Sequence, residues 1–198
     1  MTNSTSSSTP STDPIADSTQ PHSQWLARFL PLIPHGGVVL DLACGNGRNI
    51  PLLVAAGHPM LGVDRDADLL AEAGAKGAVT YCLDLEAENF VWPFKAHRLS
   101  GIVMCNYLHR PLFPEMLAAL APEGVLIIET FGQGNEQFGK PDNPLFLLEP
   151  GELLGLLDLA DRHGLYVVAY ENGYVDTPKP AIVQRICLKK STKTLAHL

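Results

Sequence analysis

Residues 38–66, VVLDLACGNGRNIPLLVAAGHPMLGVDRD, limit the possible folds more than any other stretch of the chain. A near-continuous apolar run, GVVLDLAC (37–44), carries Asp41, and a turn around Gly45 and Gly47 follows it. A helix is expected over about 48–56, with Pro51 in its first turn, where a missing N–H costs little, and Gly57 ending it. A second apolar run, MLGVD (60–64), ends in another acid, Asp64. Apolar runs without strict alternation suit strands covered on both faces, as in a parallel sheet.

The remainder keeps the same rhythm. ADLLAEAGAKG (67–77) reads as a helix, and AVTYCLD (78–84) and LSGIVMCN (99–106) as strands. FPEMLAALAPEG (113–124) reads as a helix with Met116, Leu117 and Leu120 on one face, and VLIIETF (125–131) as a fifth strand. A long Gly/Asn/Pro-rich connection leads to a helix over 150–164, then to a hairpin of LYVVAYE (165–171) and AIVQRICLK (181–189). Strands alternating with helices and closed by a hairpin predict an α/β fold. Its sheet would be mostly parallel with one antiparallel strand, and helices would cover both faces.

One folded domain is expected over 21–190. Residues 1–20 are mostly Ser and Thr with almost nothing apolar, so burial cannot offset ordering, and a disordered tail is expected there. That segment lacks the basic start and apolar centre of a secretory signal. Residues 191–198 are expected to be a C-terminal tail. No apolar run is long enough to cross a bilayer, and a cytoplasmic location is expected. The net charge is −7 with fourteen scattered Lys and Arg, so no basic face for nucleic acid is visible. Cys44, Cys82, Cys105 and Cys187 form no CxxC pair and sit in apolar runs, which suggests reduced, buried thiols and no metal. The seven histidines show no metal-like spacing.

In an open parallel sheet, ligands bind beyond the carboxyl ends of the strands, where the strand order reverses. Gly45 and Gly47 would let the backbone turn tightly and approach such a ligand. A dinucleotide turn reads G-x-G-x-x-G, and here the third glycine is missing. Asp41 would also oppose a pyrophosphate, whereas a cationic amino-acid nucleoside would accept it. A purely structural role for Asp41, capping the adjacent helix, stays open.

On LDLACGNGRN and LGVD, with the later strand and helix order, residues 36–190 resemble the class I S-adenosylmethionine-dependent methyltransferases. The plan is similar to the small single-domain tellurite-resistance and thiol methyltransferases. The resemblance implies a Rossmann-like seven-stranded sheet and S-adenosylmethionine as cofactor. It implies that Ala43, Gly45, Asn46 and Gly47 line the methionine part, with Asp41 near its amino group. Asp64, with Arg65 beside it, would meet the ribose hydroxyls. Asp84 would meet the adenine amino group, with Leu83 or Leu85 against the ring, although Asp84 could equally serve only its turn.

The residues after the fourth strand, NYLHR, would face the methyl group. Asn106 would line the cofactor and belong to the catalytic set with Tyr107 and His109; Tyr107 could make a cation–π contact with the sulfonium; His109 could act as a base; Arg110 could hold an anionic substrate. A turn role for His109 and a surface ion pair for Arg110 are the alternatives. Glu129, ending the fifth strand, would point into the same crevice. The connection over 132–148 has the length of a lid or binding loop, or is an ordered surface loop. Trp92 and Phe94 read as core or crevice wall. SQWLARFLPL (23–32) reads as an amphipathic helix that packs on the domain or covers the crevice.

The expected activity is methyl transfer to a small molecule. A protein acceptor, an RNA acceptor, an NAD-dependent oxidoreductase and a catalytically silent cofactor-binding subunit are the rivals. The sequence carries no signal for an oligomeric state.

Overall fold

The computed structural model describes residues 21–160 and 163–191. The expected tail at 1–20 and all but Ser191 of the expected tail at 191–198 lie outside them. The first helix, α1 (Gln24–Phe29), starts where the Ser23 hydroxyl accepts from the Leu26 N–H at 3.1 Å, and it continues as a 3₁₀ turn over Leu30–Leu32.

Seven strands follow: β1 (Val39–Leu42), β2 (Met60–Asp64), β3 (Ala78–Cys82), β4 (Leu99–Cys105), β5 (Leu120–Phe131), β6 (Leu165–Val175) and β7 (Ala181–Lys190). Helices α2 (Ile50–Ala55) and α3 (Ala67–Ala75) cross between the first three strands, and α4 (Phe113–Ala119) precedes β5. The sheet order is β3-β2-β1-β4-β5-β7-β6, and only β7 runs antiparallel to its neighbours, as the sequence predicts. Order reverses between β1 and β4, so the crevice expected of such a sheet opens at their carboxyl ends.

Side-chain parity explains the apolar runs. Leu40, Leu42, Ile102, Met104, Leu126 and Ile128 pack with Phe113, Met116 and Leu117 of α4 on one face. Val39, Val103, Cys105, Val125 and Ile127 pack with Trp25, Leu26 and Phe29 of α1 and with Ile50 and Leu70 on the other. Asp41 and Glu129 share the odd parity of this second set. Both acids therefore sit on the α1 side of the sheet.

Three features differ from expectation. The helix predicted over 113–124 stops at Ala119, because Pro122 offers no N–H and disfavours helical backbone before it. Leu120 instead pairs with Leu99 and begins β5. The helix predicted over 150–164 is a 3₁₀ segment, Glu152–Leu156, followed by a short α5 (Leu157–Ala160). Gly151 at φ +83° and Gly155 both weaken a regular start there. Cys82, expected to be buried, is exposed, whereas Cys44, Cys105 and Cys187 are buried.

Candidate active site

The turn after β1 is built from left-handed backbone. Ala43, Gly45 and Gly47 have φ of +51°, +53° and +76°, and Asn106, just after β4, has +57°. Two non-glycine residues in this region on adjacent strand ends are strained positions of the kind that gather at functional sites. The turn is fastened from three sides. Cys44 N–H donates to Val63 O at 2.9 Å, Gly45 N–H donates to Asp64 Oδ2 at 2.7 Å, and Lys76 Nζ donates to Asn46 O at 2.6 Å. Asp64 Oδ1 also accepts from Asp66 N–H at 3.0 Å, so this carboxylate joins the turn to the end of β2.

A crevice of about 880 Å³ opens over this turn. Asp41, Ala43, Gly45, Asn46, Asp64, Arg65, Asp84, Leu85, Asn106 and Tyr107 all line it, which brings together every cofactor residue expected from the sequence except Gly47. Gly47 packs beneath instead, where a Cβ would meet the Ile50 side chain and Ala73. At Gly45 a Cβ would meet no protein atom within 4 Å. The space beside Gly45 is open.

Asp41 is the most unusual group. It is 2% exposed and its Oδ2 has no hydrogen-bond partner. Burial pushes its pKa from 3.8 to about 7, against the pull of Arg48 and a hydrogen bond from Asn49. Leaving a buried carboxylate oxygen unpaired costs a few kcal/mol unless a ligand supplies a donor. Leu83 and Leu85 also line the crevice, and Asp84 Oδ1 accepts from Glu86 N–H at 3.0 Å. Tyr107 has a buried hydroxyl without a hydrogen-bond partner of good geometry, and burial together with the Glu86 carboxylate pushes its pKa up. Burial also pushes the Cys44 and Cys105 thiols up, so neither is a thiolate at neutral pH.

A second cavity, of about 320 Å³, adjoins the first. Glu129 lines it and lies 2.7 Å from Arg185 Nε. Its other walls are the segment Pro21–Gln24, Phe131, and the β6–β7 hairpin from Val175 to Val183. Arg48, Asn106, Phe131 and Lys179 line both cavities and form the neck between them.

His109 lines neither cavity. Nor does Arg110, whose guanidinium pairs with Glu152 at 2.6 and 2.9 Å and donates to Leu145 O at 2.9 Å and Leu147 O at 3.1 Å. The ion-pair reading of Arg110 is the one its contacts bear out, with the loop as its second partner. That loop covers the crevice: Lys140, Pro141, Asp142, Asn143 and Phe146 line it. Arg110→Ala removes a partly exposed bidentate pair and two loop contacts, worth together about 1–2 kcal/mol. Native-state proteolysis within 136–146 is then expected to run roughly 5–30 times faster, with cofactor affinity reduced.

Sequence reasoning assigned no role to Arg48, Lys140, Phe131 or Lys179. Arg48 carried a usable signal, because a cation beside a helix N-terminus opposes the helix dipole. Lys179 carried none, since its place depends on how the hairpin folds over the sheet.

A methyltransferase-domain family model matches residues 18–168. No curated protein matches the chain. Among solved structures, the chain is similar to an S-adenosylmethionine-dependent methyltransferase from Mesorhizobium loti, at TM-score 0.62 and 16% identity over 83% of this chain and 96% of that one. It is similar to TehB from Haemophilus influenzae at TM-score 0.67 and 17% identity, over 88% of this chain and 64% of that one. A TehB-like methyltransferase from Corynebacterium glutamicum aligns at TM-score 0.55 and 22% identity, over 84% and 88%.

Proposed function

Because the chain belongs to the methyltransferase domain family and S-adenosylmethionine is its methyl donor, we propose that its acceptor is a small molecule held in the 320 Å³ chamber. The unpaired buried Oδ2 of Asp41 carries the assignment of the donor's site. The donor's ammonium is the partner that such an oxygen lacks, and the open space at Gly45 accommodates the methionine chain. Asp64 keeps lone pairs on both oxygens after accepting from Gly45 and Asp66, and these suit two ribose hydroxyls. Leu83 and Leu85 suit the adenine ring, and Asp84 its amino group.

When bound, the donor supplies a methyl carbon on a sulfonium, open to direct displacement. The chain's part is to orient and to exclude water. Asn106, fixed by its N–H to Glu129 O at 2.8 Å, stands at the neck where donor and acceptor would meet. Tyr107 stays protonated and offers its ring to the sulfonium. A chamber at the low end of the volumes that hold small ligands favours a small acceptor over a polymer.

Thermal stabilisation by S-adenosylmethionine, S-adenosylhomocysteine and NAD, measured in parallel, tests the assignment. The first two are expected to raise the midpoint and NAD to leave it unchanged; the reverse pattern would overturn it. Asp64→Ala loses the ribose acceptor and the tie to Gly45 N–H. At least tenfold weaker donor binding is expected by calorimetry, with the fold retained. Unchanged affinity would remove Asp64 from this role.

A further inference from the structure

The neck between the two cavities is lined by two cations, Arg48 and Lys179, with Asn106 and Phe131. No hydrogen bond or ion pair joins Lys179 to another described residue; Arg48 gives one N–H to Pro21 O at 3.0 Å, its charge acts on Asp41, and its other donors make no hydrogen bond to a described residue. In the chamber beyond, Arg185 is already matched by Glu129, the one carboxylate on its walls among the described residues. Two cations without an ion pair among the described residues therefore stand at the neck of a chain whose net charge is −7.

Both border the crevice in which the cationic sulfonium would lie. Like charges oppose one another there unless an anion lies between them. The rest of the chamber wall combines an apolar side, with Phe131, Val175, Ala181 and Val183, and the polar residues His22, Ser23, Gln24 and Thr177.

Building on the assignment of the donor's site, we propose that the acceptor is a small organic carboxylate. Its apolar body fills the chamber, and its carboxylate, held at the neck by Arg48 and Lys179, is the group that is methylated. A carboxylate oxygen pair forms the bond to the methyl carbon, the sulfonium C–S bond breaks with its pair remaining on sulfur, and no proton moves. The products are a methyl ester and neutral S-adenosylhomocysteine. No base is required, so neither His22 on the chamber wall nor Glu129, paired with Arg185, has a proton to take.

The test begins with donor binding by calorimetry on the full chain, because failure there would overturn the donor assignment as well as this proposal. Saturation-transfer NMR on protein loaded with S-adenosylhomocysteine then compares hexanoate, octanoate, benzoate and phenylacetate with their neutral amides. The acids are expected to bind at least tenfold more tightly than the amides. Lys179→Gln, at an exposed hairpin position, is expected to weaken acid binding about tenfold while donor affinity stays within threefold. With labelled donor, base-labile methyl esters are expected, at a rate flat between pH 6.5 and 8.5 after correction for donor saturation. Acids that bind no better than amides would overturn the proposal while leaving the donor site intact. Label passing to a thiol or to tellurite but to no carboxylate would overturn it equally.

Discussion

Replacing Asp41 by Asn is expected to make the ligand-free protein more stable and its binding of S-adenosylmethionine at least a hundredfold weaker. Asn keeps the side-chain volume and an oxygen for the bond from Asn49. It removes a charge that 2% exposure keeps out of water. Burial raises the Asp41 pKa from 3.8 to about 7, so the folded state holds its proton over a range in which the unfolded chain has released it. The stability this group contributes is therefore complete below about pH 3.8 and declines as pH rises through 7. Three pKa units correspond to about 4 kcal/mol, an upper bound for the loss above pH 7. The amide has no such decline. Urea unfolding at pH 5 and pH 8 should show the gain of Asp41→Asn over the natural chain growing between the two.

The same burial sets the binding term. An ammonium beside Asp41 stabilises the carboxylate and lowers its pKa, so donor binding below pH 7 must expel a proton. Affinity is expected to fall towards tenfold per unit as pH drops below 7, and proton release should appear in calorimetry with buffers of different ionisation enthalpy. In the Asp41→Asn protein the ammonium has no counter-charge in a desolvated site, and both pH effects should vanish. Asp41→Asn with unaltered stability at pH 8, or with unaltered affinity, would show that this carboxylate does not hold the donor.

How much of this could be read from the residues depends on how local each feature is. The glycine turn with its two flanking acids is contained in about thirty residues, and its partners come from the next strand end, so the fold and the lining of the large crevice were legible there. The mostly parallel sheet with one antiparallel strand followed from the alternation of strands and helices. The end of α4 was written in Pro122, but Leu120 joining β5 depends on a pairing with Leu99 twenty-one residues away. The second cavity was illegible for the same reason. It gathers the segment before α1, the end of β5 and the β6–β7 hairpin, which only the completed sheet brings together. Arg110 shows the converse case. Its position after β4 suggested substrate, but carbonyls of Leu145 and Leu147 and the Glu152 carboxylate, all from a distant loop, take up its donors.

Gly45→Ala and Gly47→Ala are expected to fail in opposite ways although only Asn46 separates them. Both positions are left-handed, at φ +53° and +76°, so each alanine incurs about 1–2 kcal/mol of backbone strain. At Gly47 the added Cβ also comes within 3.0 Å of Ala73 Cα and 2.5 Å of Ile50 Cδ1. Ile50 and Ala73 are both fully buried and belong to the layer between α2, α3 and the sheet. The terminal methyl of Ile50 can turn aside, but the Ala73 backbone can yield only if α3 moves. Overpacking of this kind adds roughly 1–3 kcal/mol, so Gly47→Ala should lower overall stability by about 2–5 kcal/mol. Gly45→Ala meets no protein atom and should cost only the strain. Its methyl stands instead in the space assigned to the donor's methionine chain, so donor affinity should fall at least tenfold in a protein that remains folded. Urea unfolding and calorimetry on the two variants separate the cases. A Gly45→Ala protein that binds the donor normally would mean that the space beside this turn faces solvent, and the donor would have to be moved away from it.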